Sequence, residues 1–188
     1  PFSSLKAALA AVPPGGTIAL AEGTYPAVNL DGAVSLVGRC ARLVGIGLIT
    51  ARPNGGVGQV RRLRAKGIWL TDEGVLQVDR VLIESRESLV ALAATTAGAT
   101  LLAQSLVVDD VQPTTAPLPQ GLGGRLAAQV SGGGRLVITD GRLPCGLSRG
   151  LTVLEGSSLE ADRLLIAAAD GADSLRDVAG GLLVLDGG

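Results

Sequence analysis

A pattern of apolar positions recurs along the chain, and it restricts the possible fold more than any other feature. Residues 150–166 show it most clearly, because two apolar bursts, at 151–153 and 159–166, are separated by a Gly-Ser-Ser break. Asp162-Arg163 interrupts the second burst as a polar corner. With Leu159 as the anchor, the same frame fits around Leu76, Leu101, Leu136 and Leu182. One such unit cannot bury its apolar face alone, so the pattern predicts the stacked coils of a β-solenoid.

Several columns of residues keep their character from one anchor to the next, at intervals of 25, 35, 23 and 23 residues. The columns are Val78, Ala103, Ile138, Ala161 and Val184 two places on; Ile83, Val108, Leu143 and Ile166 seven places on; Leu70, Val130 and Val153 six places before; and the corners Asp79-Arg80, Gln104-Ser105, Thr139-Asp140 and Asp162-Arg163. Agreement in both apolar and polar columns predicts that the apolar ones point inward and stack.

The composition fits a single solenoid domain over residues 1–188. The chain has 28 glycines, 47% hydrophobic residues and only 2% aromatic residues, as expected for a narrow interior of aliphatic side chains with glycine at the bends. A net charge of −1 gives no electrostatic reason to expect nucleic acid or an anionic membrane as a partner. The uncharged run 89–108 contains threonines and fits the repeat frame, so we expect no membrane insertion.

The start of the chain predicts a short helix followed by the first strands. Ser3-Ser4 precedes LKAALAAV, and either serine is a suitable N-cap. Residues 1–16 are therefore predicted to form a capping helix and turn, and residues 17–188 the coils, with an inserted Pro-rich loop at 112–124. The final LLVLDGG stops within a repeat, so we expect a longer protein, with further coils or a partner chain covering that end.

The entry to the solenoid resembles the right-handed parallel β-helix proteins of the pectin-lyase-like superfamily. Thr17-Ile18-Ala19-Leu20 and Gly23-Thr24-Tyr25 carry the resemblance, and the later repeats resemble the coils of secreted β-helix proteins of bacteria. The resemblance implies an all-β, right-handed parallel β-helix with a short N-terminal capping α-helix, located outside a bacterial cell or on its surface. It implies little about activity, because the superfamily includes lyases, hydrolases, epimerases, adhesins and proteins without known activity.

Histidine is absent, which excludes a histidine base, nucleophile or metal ligand within the chain. Cys40 and Cys145 stand in no metal-binding motif, so no cofactor is expected. Superfamily hydrolases use clustered aspartates, and the lyases use Ca²⁺ held by carboxylates with an Arg or Lys base. The weak catalytic candidates of that kind here are Asp109, Asp110, Asp140 and Arg142.

The loop at 112–124 is the most distinctive part of the chain that does not repeat. Long loops on rigid scaffolds often carry function. The weak ligand-binding candidates in it are Gln112, Thr114, Thr115 and Gln120. Three functions therefore remain open: a non-catalytic structural or adhesive module, which the sequence favours; a carbohydrate-binding module; and a polysaccharide lyase or hydrolase, or its inactive remnant. The partner would be a polysaccharide or another surface protein.

Overall fold

The computed structural model of the protein describes residues 2–39, 43–84, 90–109, 126–145, 149–154, 156–168 and 182–184. These residues form one α-helix and sixteen β-strands. The elements are α1 (Leu5–Ala11), β1 (Thr17–Leu20), β2 (Gly23–Tyr25), β3 (Val28–Asp31), β4 (Ser35–Gly38), β5 (Val44–Arg52), β6 (Val57–Arg61), β7 (Arg64–Leu70), β8 (Gly74–Asp79), β9 (Leu82–Glu84), β10 (Val90–Ala94), β11 (Ala99–Asp109), β12 (Leu126–Val130), β13 (Arg135–Cys145), β14 (Arg149–Val153), β15 (Ser158–Ala168) and β16 (Leu182–Val184).

Helix α1 begins and ends where the sequence predicts. The Ser4 hydroxyl accepts a hydrogen bond from the backbone N–H of Ala7 at 3.1 Å, which satisfies one of the free donors of the first turn. Val12 is already extended, as expected for the residue before a proline. Leu5 and Ala8 are buried in the same hydrophobic core as Ile18 of β1, so the helix packs on the first coil through one face.

The strands form an all-β, solenoid-like stack in which the described strand pairs are all parallel. The chain passes three faces in order and then steps to the next coil. The first face contains β1, β4, β6, β8 and the starts of β11, β13 and β15; the second contains β2, β9, the starts of β5 and β7 and the ends of β11, β13 and β15; the third contains β3, β10, β12, β14, β16 and the ends of β5 and β7. Equivalent residues of neighbouring coils therefore lie about 4.8 Å apart.

The predicted columns lie in register through four coils. Leu101 pairs with both Leu76 and Leu136, and Leu136 pairs with Leu159. Leu76, Leu101 and Leu136 are fully buried, and Leu159 is partly buried against the same core. The columns that begin at Val78, at Ile83 and at Leu70 are also in register, so the first four anchors of the predicted repeat are confirmed.

The fifth anchor, Leu182, is wrong. Leu182 pairs with Leu151 on the third face, and Val184 pairs with Val153. Val184 therefore belongs to the column of Leu70, Val130 and Val153, not to the column of Val78. The segment after β15 leads to a strand of the third face, whereas the predicted frame placed a first-face strand there.

Candidate functional site

A column of polar residues runs along the corner between the first and second faces. The corner residues Arg62, Arg80, Ser105, Asp140 and Arg163 all have φ between 51° and 54°, in the left-handed region. The N–H of Arg80 donates to the carbonyl of Gln104 at 3.0 Å, and that of Arg62 donates to Asp79 at the same distance. These bonds between coils hold the backbone in a conformation that residues other than glycine adopt rarely. The polar corners predicted from the sequence are confirmed as bends.

Asp79 is held by two arginines at this corner. Arg80 Nη2 donates to the carboxylate at 2.8 Å, and Arg61 Nε and Nη2 of the preceding coil donate at 3.3 Å. The hydrogen bonds from Arg80, supported by Arg61, hold the pKa of Asp79 below its usual range, although burial opposes them. The side chain of Asp79 is only 18% exposed, so its charge is neutralised within the corner.

Asp140, one of the four catalytic candidates, is held in the same way. Arg163 of the next coil donates to Asp140 Oδ1 through Nε and to Oδ2 through Nη2, the latter at 3.1 Å. This hydrogen bonding lowers the pKa of Asp140. Arg163 also contacts Asp162 at 2.7 Å. Asp140 therefore belongs to the ion pairs of the corner, an arrangement that keeps the carboxylate ionised and in contact with arginine.

The other described candidates lie on the second face. Asp109 is exposed at the end of β11, where its backbone is in register with Glu84. Arg142 is exposed on β13 beside Val107, two residues before the position level with Asp109. The structure thus places Asp109 and Arg142 on one face and Asp140 at its edge. Asp110 and the four loop candidates, Gln112, Thr114, Thr115 and Gln120, lie outside the described residues.

A groove of about 490 Å³ lies beside this corner on the outer side of the first face. We call it the corner groove, and it is lined by Arg61, Gln77, Val78, Asp79, Leu102, Ala103, Gln104, Val137 and Thr139. Leu102 and Val137 occupy neighbouring coils of one outward row. Asp79, Gln104 and Thr139 occupy the parallel row beside it. A polar wall next to an apolar strip is the arrangement that a polar organic ligand, such as a sugar, requires.

The sequence did not single out this groove. Its polar members are 18, 25 and 35 residues apart along the chain, from Arg61 to Asp79, Gln104 and Thr139. Only the register between coils makes them neighbours. The signal available in the sequence was the polar corner column itself, which contains Asp79, Gln104 and Thr139 but was interpreted only as a bend.

Three broader observations concern what the described residues contain. No group of three or more Cys, Asp or Glu side chains among them is placed to hold a metal ion. No helix in the described part of the chain is long and apolar enough to cross a membrane, and the uncharged segment 89–108 contributes strands β10 and β11. Comparison of the chain with protein-family models, with curated proteins and with solved structures found no match.

The ion pairs of Asp79 predict a pH-dependent stability. Because the pKa of Asp79 is lowered in the folded protein, its ionised form stabilises the fold above about pH 4, and this contribution is lost as the pH falls through the folded-state pKa. We expect Asp79→Asn to lower the free energy of unfolding by about 1 kcal/mol at pH 7 and to have almost no effect at pH 2.5. Urea denaturation at both pH values measures the difference.

Asp31→Asn is the matched control, because Asp31 is 66% exposed and contacts a single arginine, Arg52, at 3.5 Å. Its effect at pH 7 is expected to be below about 0.5 kcal/mol. An Asp79→Asn effect of equal size at both pH values would contradict the role given to the ion pairs.

Proposed function

We propose that this chain is a right-handed parallel β-helix of the pectin-lyase-like kind and serves as a non-catalytic structural or adhesive module of a bacterial surface or secreted protein. Two arguments support the fold. The same columns stack through successive parallel coils, and connections between parallel strands of one sheet are right-handed in about 98% of cases. The resemblance of residues 17–25 to the entry of such β-helices agrees with this hand.

One observation carries the non-catalytic proposal: the described acidic side chains of the corner column are held by arginines. Asp79 is bound by Arg61 and Arg80, and Asp140 is bound by Arg163. A general acid must hold a proton near neutral pH, which requires a raised pKa, whereas these carboxylates have lowered pKa values. Their geometry suits a stack whose coils are linked along the corner by ion pairs, as a rigid scaffold requires.

The corner groove supports carbohydrate binding as a second candidate function. Amide, carboxylate and guanidinium groups can donate to and accept from sugar hydroxyls, and Leu102 and Val137 offer an apolar strip for the carbon face of a ring. Both proposals share the same partner class, a polysaccharide at the outside of a bacterial cell. In the adhesive function another surface protein would take the place of the polysaccharide.

Incubation with a panel of neutral and acidic polysaccharides tests both proposals, scored for retention of the protein and for new chain ends. We expect no new ends with any polymer. New ends that disappear in Asp109→Asn or Asp110→Asn would overturn the non-catalytic proposal.

The double variant Gln77→Ala, Gln104→Ala separates the two non-catalytic functions. If the corner groove binds glycan, this variant is expected to lose retention at least tenfold, while Asn29→Ala, an exposed amide of the third face, keeps it. Retention unaffected by the double variant would exclude the corner groove as the binding site. An absence of retention by the unchanged protein would leave the structural module as the proposed function.

A further inference from the structure

A second groove lies on the outer side of the second face, away from the corner groove. We call it the glycine groove. It has a volume of about 500 Å³ and is lined by Thr24, Tyr25, Pro26, Ala27, Gly45, Ile46, Gly47, Leu48, Arg64, Ala65, Lys66 and Glu84. Thr24, Gly45 and Arg64 occupy equivalent positions of three successive coils. The groove therefore crosses the first three coils, with a glycine at its centre.

Gly45 leaves a space that a side chain could fill. Its φ is not in the left-handed region, and an added Cβ would lie 3.6 Å from Arg64 Nη2 and 3.8 Å from Thr24 Oγ1, which are ordinary contacts. Neither backbone conformation nor packing therefore requires glycine at this position. The effect of the glycine is to leave a gap between a hydroxyl and a guanidinium, two groups that donate hydrogen bonds to oxyanions.

Arg64 is prepared for such a contact. Its Nη1 lies 3.5 Å from Glu84 Oε1, an ion pair that orients the guanidinium from the side opposite Gly45 along the coil stack. Its Nε is buried and makes no hydrogen bond within the described part of the chain. A buried donor without a partner is unusual in a protein and costs free energy, so it indicates a place where an acceptor is expected.

The rest of the groove has one charged side and one apolar side. Lys66 adds a second positive charge beside Arg64, and Glu84 cancels one of the two. Pro26, Ala27 and Leu48 line it with apolar surface that is at least partly accessible to solvent. The combination matches a ligand with one negative charge and an apolar body, because a second negative charge would meet Glu84.

We propose that the glycine groove binds a small organic monoanion, a carboxylate attached to an apolar group. The carboxylate would lie over Gly45 and accept hydrogen bonds from the Thr24 hydroxyl and the Arg64 guanidinium. The apolar group would lie against Pro26, Ala27 and Leu48. This site is independent of the corner groove and of the proposed adhesive function, and it uses none of the candidate residues identified in the sequence.

Titration of the whole chain with benzoate, followed through backbone amide chemical shifts, tests the proposal. We expect the amides of Thr24, Gly45 and Gly47 to shift with a common dissociation constant on the order of 1 mM or tighter. Benzyl alcohol has the same body without the charge, and acetate has the charge without the body. Both are expected to bind at least tenfold more weakly. Benzyl alcohol binding as well as benzoate would overturn the requirement for an anion, and acetate binding as well would overturn the apolar subsite.

Two variants locate the site. Arg64→Gln removes the charge, and Gly45→Ala places a methyl group between Thr24 and Arg64. Each is expected to weaken benzoate binding at least tenfold. Arg52→Gln, an exposed arginine of the third face, is the control and is expected to leave binding unchanged. Shifts that map elsewhere, or binding that survives both variants in a folded protein, would overturn the proposal.

Discussion

Replacing Leu136 by alanine is expected to lower the free energy of unfolding by about 2–5 kcal/mol. Leu136 is fully buried and lies between Leu101 and Leu159 of the adjacent coils. Truncation removes its transfer free energy and leaves a cavity, which the stacked backbone of a solenoid can close only by shifting neighbouring coils. Chemical denaturation followed by circular dichroism measures the change.

Leu165→Ala is the matched control for this prediction. Leu165 lies on the same strand pair, β13 with β15, but its side chain is 57% exposed. Its truncation is expected to change the free energy of unfolding by less than about 0.5 kcal/mol. Similar losses from Leu136→Ala and Leu165→Ala would show that the inward and outward sides of this strand pair are assigned incorrectly.

The same column shows how far a sequence period can predict a solenoid. From Leu76 to Leu159 the anchors, their partners and the polar corners recur together, and this is sufficient to fix the register. Before Leu76 the column continues through Gly58, which carries no apolar signal. The leucine above compensates, because Leu76 Cδ1 would lie 3.4 Å from a Cβ added at Gly58. The early coils therefore share the stack while lacking the residue that marks it.

The failure at Leu182 has a related cause. All three faces of a coil carry the same alternation of inward and outward residues, so an isolated apolar strand does not reveal its face. Leu151 follows Leu136 by 15 residues, whereas its partner Leu182 follows Leu159 by 23. The longer connection brings a third-face strand to the distance at which the next first-face strand was expected. Loop length in a solenoid is free to vary, and the period alone cannot detect this.

The two grooves could not be predicted because they consist of residues from different coils. Thr24, Gly45 and Arg64 are 21 and 19 residues apart in the sequence, and no local motif joins them. The register between coils and the absence of a side chain at Gly45 together define the glycine groove. By contrast, the catalytic candidates were chosen by residue type, and the structure shows Asp140 in a corner ion pair and Asp109 exposed at a strand end.

Replacing Gly47 by alanine is expected to lower the free energy of unfolding by about 1–3 kcal/mol, although Gly47 lies at the surface of the second coil. A Cβ at this position would lie 2.6 Å from the backbone nitrogen of Ala27 and 2.9 Å from its Cα. These are backbone atoms of the first coil, so no rotamer change can relieve the overlap. The first two coils would have to separate locally, and the contacts between β3 and β5 would weaken. Urea denaturation of the variant measures the loss.

Gly45→Ala, two residues earlier on the same strand, is the control that isolates this effect. Its Cβ meets only side-chain atoms at 3.6 Å and beyond, and alanine is favoured over glycine in a strand by about 0.5–1 kcal/mol. Its free energy of unfolding is therefore expected to stay unchanged or to rise. Equal losses from the two variants would contradict the close approach of Ala27 to Gly47. The expected contrast assigns different purposes to the two glycines, because Gly47 allows the coils to stack and Gly45 keeps a surface cavity open.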